Sequence, residues 1–254
     1  MKYIVLLAAY GYSEFLDQQV KSINDAFSKA KLKGLVYISI DGTWDSEKIY
    51  RLRKHFFSNL QIKVLKGPQR GVNHNFTFLS NTVASKYDNF CCFYSDHDDV
   101  WLKNKVRTYV ELIKKSDNKD FLIFSDSSLF SAKGQIKKTL WSELSYDGQR
   151  LQPRKLLIKN YVQGATICAS SNVVKAYAYM QNDYIMFDHV LAFIAALRGC
   201  IIPVREPLIR YRIHEENLIG IGKKRKYTLD RLRYFIYRIS YFTYFYIMFR
   251  SRII

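Results

Sequence analysis

Apolar positions in the first hundred residues follow two alternating rhythms. Tyr3–Ala9 is a continuous apolar run, the pattern of a strand covered on both faces. Between Ser13 and Lys29 the residues Phe15, Leu16, Val20, Ile23 and Phe27 recur at helical spacing, with Ser13 and Glu14 as start signals. The alternation continues, with strands predicted at Leu35–Ile40, Gln61–Leu65 and Asn89–Tyr94 and helices over Ser46–Phe57 and Asn75–Val83. Strand and helix in turn, with short links, predict a parallel α/β sheet, and such sheets bind ligands beyond the carboxyl ends of their strands. Asp41 and Asp96 both fall at strand ends, which places two carboxylates on one rim.

The second half is less regular. It predicts strands at Phe121–Phe124, at Tyr161–Ala169 with Gly164 inside, and at Cys200–Val204, and an amphipathic helix over Met186–Leu197. After Gly220 and Gly222 the composition turns basic and aromatic, so a boundary is expected near residue 222, between a domain of 1–222 and a tail of 223–254.

Length and composition narrow the class. A chain of 254 residues is long enough for one domain with a sizeable core, and 48% hydrophobic content with 11 Gly and 4 Pro excludes a disordered or fibrous chain. Cys91, Cys92, Cys168 and Cys200 lack zinc or redox spacing and read as small core residues in a reducing cytosol. The opening apolar run is too short for a secretory leader and merges with the folded pattern, so a cytoplasmic protein is expected.

The net charge of +18 is concentrated at one end, where residues 223–254 hold nine Lys and Arg against one acid, Asp230. A basic patch suits nucleic acid, an anionic membrane surface or plain solubility. The aromatic density of Tyr234–Tyr237 and Tyr241–Phe249 favours a helix lying in a membrane interface, and the acidic rim argues against specific nucleic-acid binding. Residues 234–249 fall short of the ~20 apolar residues of a membrane span, and Arg238 interrupts them. A helix packed on the domain, or on a second subunit of a homo-oligomer, is the other reading of the tail.

The densest chemistry is Ser95-Asp96-His97-Asp98-Asp99-Val100-Trp101. Carboxylates this close repel and raise one another's pKa unless a cation or donor groups neutralise them. A hard ion such as Mg²⁺ or Mn²⁺, shared with substrate phosphates, supplies that neutralisation. The alternative is a solvated turn in which Asp98 or Asp99 caps the next helix.

Read in order, these pieces resemble the family 2 glycosyltransferases, and among them the bacterial rhamnosyltransferase-like branch. The resemblance runs through Glu14-Phe15-Leu16, Gln19, Asp41-Gly42-Thr43, Asp45, Gly67-Pro68, Gly71, Asn75-Phe76 and the acidic motif. It continues through Val162-Gln163-Gly164, Asp188-His189, Glu206-Pro207-Leu208-Ile209, Tyr211-Arg212, His214, Asn217 and Gly220. It implies a GT-A fold over 1–222 and an inverting, metal-dependent transfer of a sugar from a nucleotide donor, with dTDP-rhamnose suiting the branch. The implied acceptor is a cell-surface polysaccharide or a lipid-linked glycan, met at the inner face of the cell membrane. It also implies Asp98 and His214 as ligands of Mn²⁺ or Mg²⁺, and Asp96 at the ribose or at a metal-bound water. Ala9, Asp41, Asn75, Gly164 and Arg212 fall at the donor, Arg212 on phosphate oxygens, and Asp188 at the catalytic base.

Three positions depart from the family pattern. Ile40 stands first in what is usually an Asp-Asp pair, His97 replaces a common Gln, and Phe187 precedes Asp188 where His is frequent. His97 is expected to face away as a spacer, His189 to lie on the acceptor side, and Asp99 to cap a helix. An N-cap is also the alternative role for Asp188. Ile40 and Phe187 are the features that favour the competing function, a catalytically degenerate GT-A fold acting as a glycan-binding or scaffold module.

Overall fold

The computed structural model describes residues 1–54, 57–116, 119–180, 182–213 and 229–250. The predicted alternation forms the first half of one sheet. Strands β1 (Lys2–Tyr10), β2 (Gly34–Asp41), β3 (Leu60–Lys66) and β4 (Phe90–Asp96) pair in parallel in the order β3-β2-β1-β4. Between them run α1 (Glu14–Ala30), α2 (Ser46–Lys54) and α3 (Val72–Ala84). The unbroken apolar run of β1 has a direct cause, because successive side chains enter different cores. Ile4, Leu6 and Ala8 join Phe76 and Leu79 of α3 on one face, while Val5, Leu7 and Ala9 join Leu16, Val20 and Ile23 of α1 on the other.

Beyond β4 the sheet becomes mixed. The remaining elements are β5 (Val100–Trp101), α4 (Lys105–Lys115), β6 (Leu122–Ser131), β7 (Gly134–Thr139), α5 (Leu140–Leu144), α6 (Pro153–Ile158), β8 (Cys168–Ser170), α7 (Ser171–Met180), α8 (Phe187–Leu197), β9 (Ile201–Arg212) and α9 (Leu229–Arg250). The order continues β4-β8-β6-β9-β5, with β7 also paired to β6. Strand β8 is antiparallel to both β4 and β6, whereas β9 runs parallel to β6.

Three expectations change here. The strand predicted over Tyr161–Ala169 is only β8 at its end, preceded by a 3₁₀ turn at Gly164–Thr166. Thr166 fixes that turn by donating from both its backbone N–H (3.0 Å) and its hydroxyl (2.7 Å) to the Gln163 carbonyl. The predicted Cys200–Val204 strand extends to Arg212, and Pro207 is tolerated within it because it lies at a register shift opposite Asp126. Val100-Trp101 does not open a helix but pairs with Ile209 and Arg210 of β9. Helix α4 starts at Lys105 with Asn104 at its cap position, so neither Asp98 nor Asp99 caps it.

The expected boundary near 222 lies outside the described residues. Helix α9 docks on the domain through one face, where buried Phe242 meets the rings of His189 (4.8 Å) and Phe193 (4.2 Å). Among the described residues no helix is long and apolar enough to cross a membrane.

Candidate active site

A cavity of about 350 Å³ opens at the carboxyl ends of β1, β2 and β4. Its walls include Ala9, Asp41, Asn75, Asp96, Asp98, Gly164 and Asp188, so seven positions chosen from the sequence meet in one place. The topology does this: parallel strands end on one rim, and the 164–166 turn and the start of α8 fold in from the second half. Arg212 is not part of the wall, and His214 lies outside the described residues.

At one end the cavity is framed by Asp41. Its carboxylate is buried and accepts the backbone N–H of Gln69 (2.9 Å) and of Gly71 (3.0 Å), so it draws the 67–71 loop over the strand end. A Cβ on Gly67 would sit 2.2 Å from Asp41 Oδ1, so that position admits no side chain. Ile40 faces the opposite way, into the apolar layer beneath α1 and α2. Nearby, Asn75 donates from Nδ2 to the Ser39 carbonyl (3.2 Å), while its buried Oδ1 has no partner.

The acidic motif is split by its own backbone. Asp99 is fully buried and turned from the cavity, accepting the Arg212 backbone N–H at 3.1 Å. The Arg212 guanidinium donates to the Asp98 carbonyl (2.8 Å) and to Gln18 (2.6 Å), and it lies over the rings of Phe15 and Phe130. Arg212 therefore clamps the motif. From α1, Gln19 donates to Ser95 Oγ (2.6 Å), and Ser22 Oγ accepts the Trp101 N–H (3.0 Å). Held at both ends, the loop presents Asp96, His97 and Asp98 to the cavity. His97 thus lines the cavity, where a spacer clear of it was expected, because the β5–β9 pairing turns the loop back over the strand end.

Burial pushes the Asp96 carboxyl up to about 8; neighbouring Asp98 and then Asp188 add to the rise, and Lys105 opposes it. Lys105 is fully buried, donates from Nζ to the Ala165 carbonyl (2.7 Å) and lies 4.0 Å over the Trp101 ring. Desolvation brings its ammonium down to about 7. Sequence reasoning missed this lysine. The signal is its phase, since Lys105 shares the buried face of α4 with Val106, Tyr109 and Val110.

Asp188 is the second residue of α8, after Met186 at the cap position and Phe187, so it is not the N-cap. It is 5% exposed and accepts from Asn160 Nδ2 at 3.0 Å. Burial pushes its carboxyl up to about 7, while hydrogen bonds from His189 N–H, Gly164 N–H and Asn160 restrain the rise. Phe187 packs against Phe76 (4.1 Å) and Tyr94 (5.4 Å), giving Asp188 an apolar neighbour in place of a polar one. A Cβ on Gly164 would lie 2.4 Å from the Phe187 ring, so the turn reaches Asp188 only with glycine there. His189, expected on the acceptor side, is buried and does not line the cavity. Its Nε2 pairs with the Leu156 carbonyl (2.6 Å), its ring packs on Phe242, and burial takes its pKa down to about 4.

Among the described residues no group of three or more His, Cys, Asp or Glu side chains is set to hold a metal alone. Two cavity-facing carboxylates of one loop do fit the other common mode, in which Mg²⁺ or Mn²⁺ keeps one or two carboxylates and completes its shell with substrate phosphates and water. Burial, and after it the neighbouring carboxylates, hold the Asp96 carboxyl up, and a cation bound there would bring it down.

No family model matches the chain. No curated protein matches it either. Solved structures do. TarS of S. aureus, residues 1–349 in complex with UDP-GlcNAc, superposes with a TM-score of 0.61 at 13% identity, covering 85% of this chain and 60% of that one. The same segment with UDP gives 0.59 at 14% identity, over 84% and 61%. The chain thus spans about three fifths of the TarS segment it matches. TarS is a GT-A-type glycosyltransferase, and the likeness matches the sheet and helices described above. The protein has the GT-A-type fold.

Proposed function

We propose that this chain is an inverting, metal-dependent glycosyltransferase that uses a nucleotide sugar. The observation that carries the reading is the meeting, in one strand-end cavity, of Asp96 and Asp98 with a third carboxylate whose pKa burial has brought near neutrality. Asp41 and Asn75 frame the nucleoside end; the unpartnered Asn75 Oδ1 offers an acceptor to a base or ribose donor. Asp96 and Asp98 sit where a diphosphate would lie and would hold Mn²⁺ or Mg²⁺. Bound there, the metal supplies Lewis-acid stabilisation of the negative charge that grows on the departing diphosphate. Asp188 takes the proton of the acceptor hydroxyl while that oxygen bonds to the anomeric carbon and the bond from carbon to phosphate oxygen breaks. A carboxyl titrating near 7 is well matched to that task at neutral pH.

The sequence resemblance puts dTDP-rhamnose first as donor, and the TarS complex adds UDP-GlcNAc as a second candidate. The acceptor we propose is a polysaccharide or lipid-linked glycan at the inner face of the cell membrane, where the enzyme docks peripherally through α9. In support, Leu229, Leu232, Ile236 and Ile247 project from α9 at least half exposed, beside Arg231 and Arg233. Each cation near an anionic surface adds about 1 kcal/mol. The degenerate-module alternative loses one of its two motives, since Ile40 belongs to the core and subtracts no carboxylate from the cavity.

The test is a thermal-shift screen of dTDP-, UDP- and GDP-sugars with and without Mn²⁺ or Mg²⁺, run on the native chain and on Asp98→Ala. Metal-dependent stabilisation by one donor, lost in the variant, is the expected result. A folded protein that responds to no donor would sink the enzymatic reading.

A further inference from the structure

Gln163 is a buried side chain with half of its amide unused. The residue is 6% exposed, lines the cavity and sits at the cap position of the Gly164–Thr166 turn, its carbonyl held by Thr166. Its Oε1 accepts the hydroxyl of Ser127 at 2.6 Å, and Ser127 on β6 is fully buried. That contact fixes the amide plane. The opposite atom, Nε2, carries two N–H donors, is buried and has no hydrogen-bond partner. An amide nitrogen left so in a protein interior costs the desolvation of its donors, unless a ligand accepts from them.

The position says what such a ligand offers. The segment that carries Gln163 is tied to the base, because Asn160 accepts the Val162 N–H (3.0 Å) through Oδ1 and donates to Asp188 through Nδ2. Gly164, the next residue, lines the cavity together with Asp188. Gln163 and Gly164 line the same cavity as Asp96, Asp98 and Asp188, so a sugar held between a diphosphate at the first pair and the base would bring its hydroxyls to this turn. Given the reading of the cavity proposed above, on which this step rests, we infer that Gln163 is a specificity-determining residue that donates from Nε2 to a hydroxyl of the transferred sugar, with Ser127 setting the direction of the amide. A site built to donate to a hydroxyl discriminates strongly against sugars that lack it at that position, because a buried donor is then left unpaired.

The two candidate donors and their parent diphosphates give the test: UDP-GlcNAc against UDP, and dTDP-rhamnose against dTDP, each titrated calorimetrically with Mn²⁺ on the full chain. Gln163→Met keeps the length of the side chain and removes the donors. It is expected to weaken the sugar nucleotide that the native protein binds by about tenfold, as for one lost hydrogen bond with a buried partner, while the diphosphate alone changes by less than about twofold. Ser127→Ala frees the amide without altering the cavity wall and is expected to show the same asymmetry at smaller size. It decides the matter if the Met variant melts early. Equal weakening of sugar nucleotide and diphosphate, or no weakening of either, overturns the role of Gln163 while leaving the enzyme assignment intact. A native protein that binds none of the four ligands overturns that assignment and this inference with it.

Discussion

Asp188 is the residue on which the proposed chemistry turns, and its environment makes two measurable statements. Burial raises its carboxyl from near 4 to about 7, so the base is about half ionised at neutrality. The pH profile of kcat/KM for the donor, which reports the unliganded enzyme, is expected to rise through an acid limb near 7. Asp188→Asn should lower kcat at least a hundredfold while donor affinity holds. Stability responds with the opposite sign. A carboxyl whose pKa is raised by folding keeps a proton that the unfolded chain releases near pH 4, so its contribution is complete at low pH and is lost as pH climbs through about 7. Asp188→Asn is therefore expected to melt higher than the native protein at pH 8 and about equal to it at pH 3. Equal melting temperatures at both pH values would mean that Asp188 is solvated and unperturbed.

At the scale of elements, the site depends on the two-residue pairing of β5 with β9 and on the stitching of both to α1. Arg212 closes that junction through the Asp98 carbonyl, Gln18 and the two phenyl faces. The sequence resemblance puts Arg212 on donor phosphates, whereas its contacts here make it a clamp on the acidic loop. The two roles separate experimentally. Arg212→Met should weaken Mn²⁺ binding without any nucleotide present, by about tenfold for the loss of charge-assisted bonds that position the loop. Unchanged metal affinity with weakened donor binding would return Arg212 to the phosphates.

For the whole molecule the question is what α9 does, since it is apolar on more than one side. Its inner face is committed, with Phe242 fully buried against α8. Phe242→Ala should destabilise the domain by roughly 3 kcal/mol, read as a lower melting temperature. The outer face behaves differently if it meets lipid. A double change, Ile236→Glu with Ile247→Glu, is expected to leave the melting temperature within a degree or two and to abolish flotation with anionic vesicles. Retained flotation would remove the membrane from the account of this helix, and a shift from dimer to monomer would assign the face to a second copy.

The sequence by itself determined the parallel half of the sheet, because β1, β2 and β4 are runs of residues that only a doubly covered strand can bury, separated by stretches of clear helical phase. It also marked the rim, since Asp41 and Asp96 are polar where those runs stop and Asp98 follows at once. The mixed half was less legible. Three-residue β8 and two-residue β5 carry too little periodicity to be seen, and each is a strand only because neighbouring strands bring hydrogen-bonding partners. Tertiary structure alone decided the fate of each residue within the acidic motif: Asp99 buried against the Arg212 backbone, Asp98 and His97 at the cavity wall. Adjacent residues of one loop look alike as letters, and their fates are set by contacts with α1 and β9, over a hundred positions away in the case of Arg212. The same holds for Lys105 and Gln163. Their chemistry follows from burial and from which of their donors find partners, and both are properties of the packed molecule.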